Sequence, residues 1–337
     1  MSNPLSKILI VGPSWVGDMV MAQSLFMRLK QQQPDCLIDV LAPAWSLALL
    51  ARMPEVHTAI AMPVGHGQFG LGQRFALGKQ LKCNQYSQAI VLPNSWKSAL
   101  IPWFANIPMR TGFIGECRWG LLNDARSLDK QQLTMTVQRF VALAHPQKTL
   151  EALDYPQPRL QITPEQQQAV LEKFVVQPTA NILALCPGAE FGPSKQWCAR
   201  YYAEVAQYWL KQGRQVWLFG SIKDQAVAAE INQLTNQACV DFAGRTSLAE
   251  AVDLMSLVTH VVSNDSGLMH VAAALDKQVV ALYGSSDPSF TPPLSNKAKV
   301  LSLKLTCSPC FKRVCPLQHN NCLNHLMPER VLAAIES

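Results

Sequence analysis

Apolar residues in the first half of the chain fall into short continuous runs separated by stretches with helical spacing. The run Ile8-Leu9-Ile10-Val11 predicts a buried strand over Lys7–Val11. Apolar residues then recur every three or four positions over Met19–Leu29, which predicts a helix. The alternation continues, with strands expected at Leu37–Leu41, Thr58–Met62, Ala89–Leu92 and Thr111–Ile114. Helices are expected between them at Trp45–Arg52, Arg74–Leu81, Trp96–Phe104 and Thr134–Ala144. Strand–helix–strand alternation of this kind predicts an α/β, doubly wound parallel sheet. From Pro146 to Pro164 the periodicity stops and Pro156 and Pro158 intervene, as in a linker. It then resumes with a helix at Pro164–Phe174 and strands at Ile182–Cys186, Gln215–Phe219, Cys239–Phe242, His260–Ser263 and Val279–Tyr283. The intervening helices are expected at Ala199–Lys211, Asp224–Leu234, Leu248–Leu257 and Leu268–Leu275. The expected organisation is a first α/β domain over 1–150, a linker over 151–165 and a second α/β domain over 166–337. Two such halves imply a cleft, with ligands beyond the carboxyl ends of the strands.

Composition narrows the class. Of 337 residues, 49% are hydrophobic and 15% charged, which excludes a disordered chain. Mean hydropathy is +0.06, yet no apolar run approaches the ~18 residues of a membrane span. The first residues lack a charged head and a long apolar segment, so no signal peptide is expected and the chain reads as cytoplasmic. Its ten cysteines then read as reduced thiols or metal ligands. Net charge is +6, and residues 1–168 hold 15 basic against 10 acidic residues. A basic first half suits an anionic partner, but the cations are scattered, which argues against nucleic acid.

Candidate chemistry lies just past the strands. Gly12-Pro13-Ser14-Trp15-Val16-Gly17-Asp18 has the glycine spacing of a phosphate loop, with Asp18 where that loop carries lysine. A carboxylate there would repel a phosphate. It is either a functional carboxylate at a helix N-terminus or an ordinary helix cap. The dinucleotide fingerprint G-x-G-x-x-G is absent. The loop Cys186–Trp197 is rich in Gly and Pro and carries Lys195, either a phosphate holder or a solvated surface lysine. Leu218–Asp224 is a third strand-to-helix turn. Ser263–His270 is a fourth, offering helix-start N–H groups to an anion or merely capping residues. His270 alone reads as a core histidine. No Asp-x-Asp pair occurs, which disfavours a metal-held pyrophosphate and favours neutralisation by lysine and helix N-termini.

Five segments together resemble one family: Gly12–Asp18, Leu92–Leu100, Cys186–Trp197, Asn264–Ala274 and Phe290-Thr291-Pro292-Pro293-Leu294. They are similar to the ADP-heptose:lipopolysaccharide heptosyltransferases, glycosyltransferase family 9, with the heptosyltransferase II pattern nearest. The resemblance implies a GT-B fold of two Rossmann-like domains facing each other across a cleft. It implies inverting, metal-independent transfer of heptose from ADP-heptose onto the heptose of the lipopolysaccharide inner core. Asp18 then corresponds to the proposed base. Lys195 and the N–H groups at Ser266 and Gly267 would stabilise the leaving phosphate. Gly188, Glu190, Asp265 and His270 would border the donor, and Asp224 its ribose. Ser14, Trp15, Asn94, Lys97, Arg110 and Arg118 would meet the acceptor, a heptosyl-Kdo2-lipid A, with Arg126 a further candidate for its anions. Each of these cations also reads as a solvated surface charge. Trp96, Trp103 and Phe104 read either as helix core or as an apolar patch touching the inner leaflet. The enzyme would then be cytoplasmic and peripheral to the inner face of the inner membrane, with no required cofactor. Cys307-x2-Cys310-x4-Cys315-x6-Cys322, near His319 and His325, is a candidate structural zinc set or a group of free thiols. The alternatives are heptosyltransferase I, a later heptose-adding enzyme, or a non-catalytic nucleotide-sugar-binding protein.

Overall fold

In the computed structural model, which describes residues 6–65, 67–146 and 154–337, the chain divides into two compact units that meet at Pro158 and Arg159. The first unit is built on six strands: β1 (Lys7–Val11), β2 (Leu37–Ala42), β3 (Val56–Ala61), β4 (Gln88–Val91), β5 (Met109–Phe113) and β6 (Asp124–Arg126). All pair in parallel, in the order β3-β2-β1-β4-β5-β6. β1 is central and buried from Ile8 onward, which is why it reads as an unbroken apolar run rather than an alternating one. The helix Val16–Gln32 packs on the helix Thr136–Ala142. β6 has no apolar run and is invisible to periodicity. It is tied to β5 by Thr111, whose hydroxyl donates to Asp124 at 2.9 Å, while Arg126 pairs with Asp124 within the strand at 2.7 Å. The expected helix Trp96–Phe104 is a 3₁₀ turn, Trp96–Ala99, followed by α-helix Leu100–Phe104.

The second unit repeats the plan with β7 (Ile182–Cys186), β8 (Gln215–Leu218), β9 (Val240–Asp241), β10 (His260–Asn264), β11 (Gln278–Tyr283) and β12 (Ala298–Ser302). Its order is β12-β11-β10-β7-β8-β9, again all parallel. The amphipathic helix Ala199–Leu210 buries Tyr202, Val205, Ala206 and Trp209 against the sheet. The C-terminal helix Pro328–Glu336 packs on that helix and on β11 through Val331 and Ile335. The indole of Trp197 donates to Leu326 O at 2.8 Å, fastening the C-terminal region to the core.

The expected linker begins among residues outside the described set. Asp154 and Pro156 accept bonds from Arg28 and Ser24 of the first unit, at 2.6 and 2.7 Å. Leu160 N donates to Ala274 O of the second at 3.0 Å. Thr163 then caps the helix Pro164–Phe174 in a capping box with Gln166. No helix among the described residues is long and apolar enough to cross a membrane.

Candidate active site

Both sheets reverse their strand order at one point, between β1 and β4 and between β7 and β10. Loops leaving those neighbouring strands diverge and open a crevice at the carboxyl edge, where ligands of such sheets bind. The four loops at these points contain most of the expected site residues.

In the first unit, Gly12 N donates to Leu41 O at 2.9 Å, which holds the start of the loop on β2. Ser14 and Trp15 are exposed, and Trp15 occupies the N-cap of the helix Val16–Gln32 without a side-chain capping bond. Asp18 is therefore not the cap. It is the third residue of the helix, half-buried in the first turn, where the positive helix end favours its ionised form. Beyond β4, Asn94 is exposed, and its carbonyl accepts from Glu116 N at 3.2 Å. Arg118 is buried beneath this loop, donating to Pro93 O at 2.6 Å and also to Phe113 O. It shapes the Asn94 loop from below. Arg110 donates to Leu121 O and Ile107 O at 2.7 and 2.6 Å. Arg126 pairs with Asp124 and donates to Ala142 O at 3.0 Å, closing the C-terminus of the helix Thr136–Ala142. Of these four cations, Lys97 alone keeps its charged group without a carboxylate or carbonyl partner among the described residues.

In the second unit the loops of β7 and β10 are stapled by Asn264, which is fully buried. Its Oδ1 accepts from Trp197 N at 3.1 Å and from the Tyr202 hydroxyl at 3.0 Å, and its Nδ2 donates to Pro187 O at 2.7 Å. Against this frame Lys195 Nζ lies 2.5 Å from Asp265 Oδ2, with side chains 17% and 5% exposed. A nearly buried carboxylate thus holds the ammonium at the start of the helix Gly267–Ala274. The N-cap of that helix, Ser266, makes no side-chain cap bond. His270 is buried behind the pair. Burial pushes its pKa down to about 4, with Lys195 adding to the effect and Asp265 opposing it, so the ring is neutral at physiological pH.

Asp224 caps its own turn, accepting at Oδ2 from Ser221 N and Oγ, each at 2.8 Å. Its carboxylate lies so close over Gly188 that a Cβ there would collide with it. Glu190 is exposed and paired with Lys223.

Two further side chains lie beside Lys195 with no signal in the local sequence. Phe191 lies between two cations, Lys195 Nζ at 5.0 Å and the Arg313 guanidinium at 5.5 Å from its ring centre. Arg313 arrives on the cysteine-rich loop, which is laced to the β7 loop. Ser194 N donates to Arg313 O at 3.1 Å, and the Ser194 hydroxyl donates to Lys312 O. Gly192, at φ +151°, lies where any Cβ would meet Arg313 O. The close backbone approach at a glycine is the only local signal of this docking.

Cys307, Cys310, Cys315 and Cys322 line one cavity with Ser194, Ser285 and His319. Burial and the three neighbouring thiols push the Cys322 thiol up. Among the described residues, however, no group of three or more ligating side chains is arranged to hold a metal ion, so the spacing does not become a ready zinc site. The loop's visible work is to carry Lys312 and Arg313 to Ser194.

Residues 74–321 match the family described as Glycosyltransferase family 9 (heptosyltransferase). The lipopolysaccharide heptosyltransferase 2 of Salmonella typhimurium is 48% identical, over 98% of each chain. The lipooligosaccharide heptosyltransferase 2 of Haemophilus influenzae is 52% identical, over 88% of each. The solved structure of Escherichia coli ADP-heptose lps heptosyltransferase II superposes with a TM-score of 0.87 at 44% identity, covering 98% of this chain and 97% of that one. With the twin parallel sheets, these matches bear out the expected α/β, GT-B class. The chain belongs to glycosyltransferase family 9, the heptosyltransferases.

Proposed function

We infer that this protein is an inverting type 2 heptosyltransferase, transferring L-glycero-D-manno-heptose from ADP-heptose to the heptose of a heptosyl-Kdo2-lipid A acceptor. The observation that carries this is near-full-length similarity to heptosyltransferases of type 2, at 48% identity over 98% of both chains. Relatives of this kind favour it over heptosyltransferase I and over a non-catalytic binding protein.

Inversion requires one in-line displacement: the acceptor oxygen bonds to the anomeric carbon as the bond to ADP breaks. The acceptor hydroxyl must lose its proton, and a carboxylate within hydrogen-bond reach can take it. Asp18, on the first turn of its helix, is assigned that task. The leaving ADP gathers charge on its terminal phosphate. Lys195, held in place by Asp265, and the N–H groups at Ser266 and Gly267 would oppose that charge. Arg313 adds a second cation beside Phe191. Asp224 directs both Ser221 bonds to Oδ2, leaving Oδ1 for a ribose hydroxyl over Gly188. Glu190 and neutral His270 border the donor. Ser14, Trp15, Asn94 and Lys97 are assigned to the acceptor, with Arg118 positioning Asn94. Arg110 and Arg126 are assigned to local structure. Two cations and helix-start amides take the place of a divalent ion, and the chain has no Asp-x-Asp pair. The acceptor lies at the inner-membrane surface, where the enzyme works from the cytoplasmic side.

The test is transfer from ADP-heptose to truncated lipopolysaccharides of defined length, read by mass spectrometry in the presence of EDTA. The expected product gains one heptose on an acceptor ending in a single heptose, and Asp18→Asn lowers kcat by about 10²–10⁴. Near-normal turnover in Asp18→Asn would remove the base. Loss in EDTA restored by Mg²⁺ would remove the metal-free mechanism.

A further inference from the structure

We propose that one face of the first unit, formed by the segment Phe69–Leu81 and the helical segment Trp96–Phe104, is a docking surface for an anionic lipid bilayer.

The face is apolar, aromatic and exposed. Phe69, Leu71, Phe75, Trp96 and Trp103 are between 39% and 47% accessible. Its rings gather in two groups. The rings of Phe69 and Trp96 lie 5.1 Å apart, as do those of Phe75 and Phe104 and those of Trp103 and Phe104. Gly78 lets the two helical segments close tightly, since a Cβ there would collide with Phe104. Arg74, buried between them, donates to Lys97 O at 3.1 Å. Large aromatic side chains gathered on one exposed face are costly in water and mark an interaction surface.

Charge identifies the occupant. From residue 56 to residue 115 the chain has no Asp or Glu but five cations, of which Arg74 is buried and Arg110 is held by carbonyls; the carboxylate that follows, Glu116, accepts from Trp96 N at 3.2 Å. Lys79 and Lys82 are exposed, and Lys79 Nζ lies 4.6 Å from the Phe75 ring centre. A second copy of the same face would set cations against cations, which opposes self-association. A bilayer with anionic headgroups meets both demands. Aromatic rings settle at the level of the headgroups, and lysines beside them are drawn to the negative surface. The stems of Lys79 and Lys82 are long enough to cover apolar surface while keeping their charge at the headgroups. No helix among the described residues crosses a membrane, so attachment through this face is peripheral.

The surface itself rests on geometry and charge alone. Its use, holding the enzyme beside a lipid-linked acceptor, rests on the proposed transferase activity. Trp96 begins the face immediately after the Asn94 loop assigned to that acceptor.

The test is co-sedimentation of the full chain with vesicles of phosphatidylethanolamine and phosphatidylglycerol, and separately of phosphatidylcholine. The expected result is salt-sensitive binding to the anionic vesicles and little to the neutral ones. Phe69→Ser with Trp103→Ser, and separately Lys79→Glu with Lys82→Glu, should each weaken binding by about tenfold or more. Lys79→Arg with Lys82→Arg should retain it. Thermal melts and transfer to an acyl-free, soluble acceptor should stay near wild type in all variants, showing intact folds. The proposal is overturned if the wild type remains in the supernatant, if both sets of variants bind as it does, or if the same substitutions dissolve a dimer instead. Vesicle binding without any transfer would count against the activity and not the surface. Transfer without vesicle binding would do the reverse.

Discussion

Lys195 and Arg313 are two cations in different settings. Lys195 is mostly covered and held 2.5 Å from a carboxylate that is itself only 5% exposed. Its ammonium is fixed before any ligand arrives, the condition under which a charge helps a transition state more than a ground state. Lys195→Ala is expected to lower kcat by roughly 10²–10³, about 2.7–4 kcal/mol, with a smaller rise in KM for the donor. Arg313 is exposed and leans on Phe191, so it should contribute binding more than rate. Arg313→Ala is expected to raise KM for ADP-heptose and weaken ADP binding several-fold while kcat changes little. Steady-state kinetics with calorimetry of ADP binding separate the two patterns. Unchanged donor KM and ADP affinity in Arg313→Ala would remove it from the site. Lys195 is legible in the sequence because it lies on a Gly/Pro-rich loop after a strand. Arg313 is not, because a distant loop delivers it.

At the scale of elements, the loops after β7 and β10 are joined by a single amide. Asn264 joins the β10 end to the β7 loop through three hydrogen bonds within a fully buried setting. Asn264→Ala strands the Trp197 N–H and the Pro187 carbonyl and leaves the Tyr202 hydroxyl its bond to Cys186 O at 3.3 Å, at a cost of about 1–3 kcal/mol. Asn264→Asp keeps the two acceptor contacts but replaces the donor to Pro187 O with a second oxygen in a buried place, and should be at least as destabilising. Urea midpoints check this. A change of only a few tenths of a kcal/mol in both variants would show that the loops hold without the staple. The strands that periodicity misses, β6 and β12, are two of the four sheet edges. An edge strand is paired on one side only and needs no apolar run: β12 is at most half-buried along its length, and β6 is three residues with charged ends.

For the whole molecule, His270 couples stability to pH. Its folded pKa of about 4 lies below the ordinary 6.5, because burial disfavours the charged ring. Between those values the unfolded chain binds a proton that the native protein does not, so stability rises with pH across that window. The contribution is complete above about 6.5 and is lost as pH falls toward 4, a change of roughly 3 kcal/mol at full extent. His270→Gln should remove this component. Its urea midpoint is expected to fall less steeply than the wild type's between pH 6.5 and 4, while carboxylates titrate alike in both. Parallel curves would mean that the buried ring is protonated in the native state.

The sequence by itself determines the alternation of strands and helices, the repetition of one plan in two halves and the loops where chemistry is expected. Those features are written in residues one turn or one pleat apart, so local hydrophobic period suffices to read them. The tertiary structure alone decides what each charge does. Arg110, Arg118 and Arg126 look like an anion-binding set in sequence, yet the fold brings backbone carbonyls to all three guanidinium groups. The loop that carries Lys195 marks it in the sequence, but only the fold places Asp265, at the end of β10, 2.5 Å from its ammonium. The cysteine spacing leaves a zinc set or free thiols open, and no local pattern shows that the folded loop brings Arg313 to Ser194 and Phe191 of the β7 loop. A formal charge is a property of one residue. The partner that holds it is set by which distant groups the chain's folding brings within about 3 Å, the reach of a hydrogen bond.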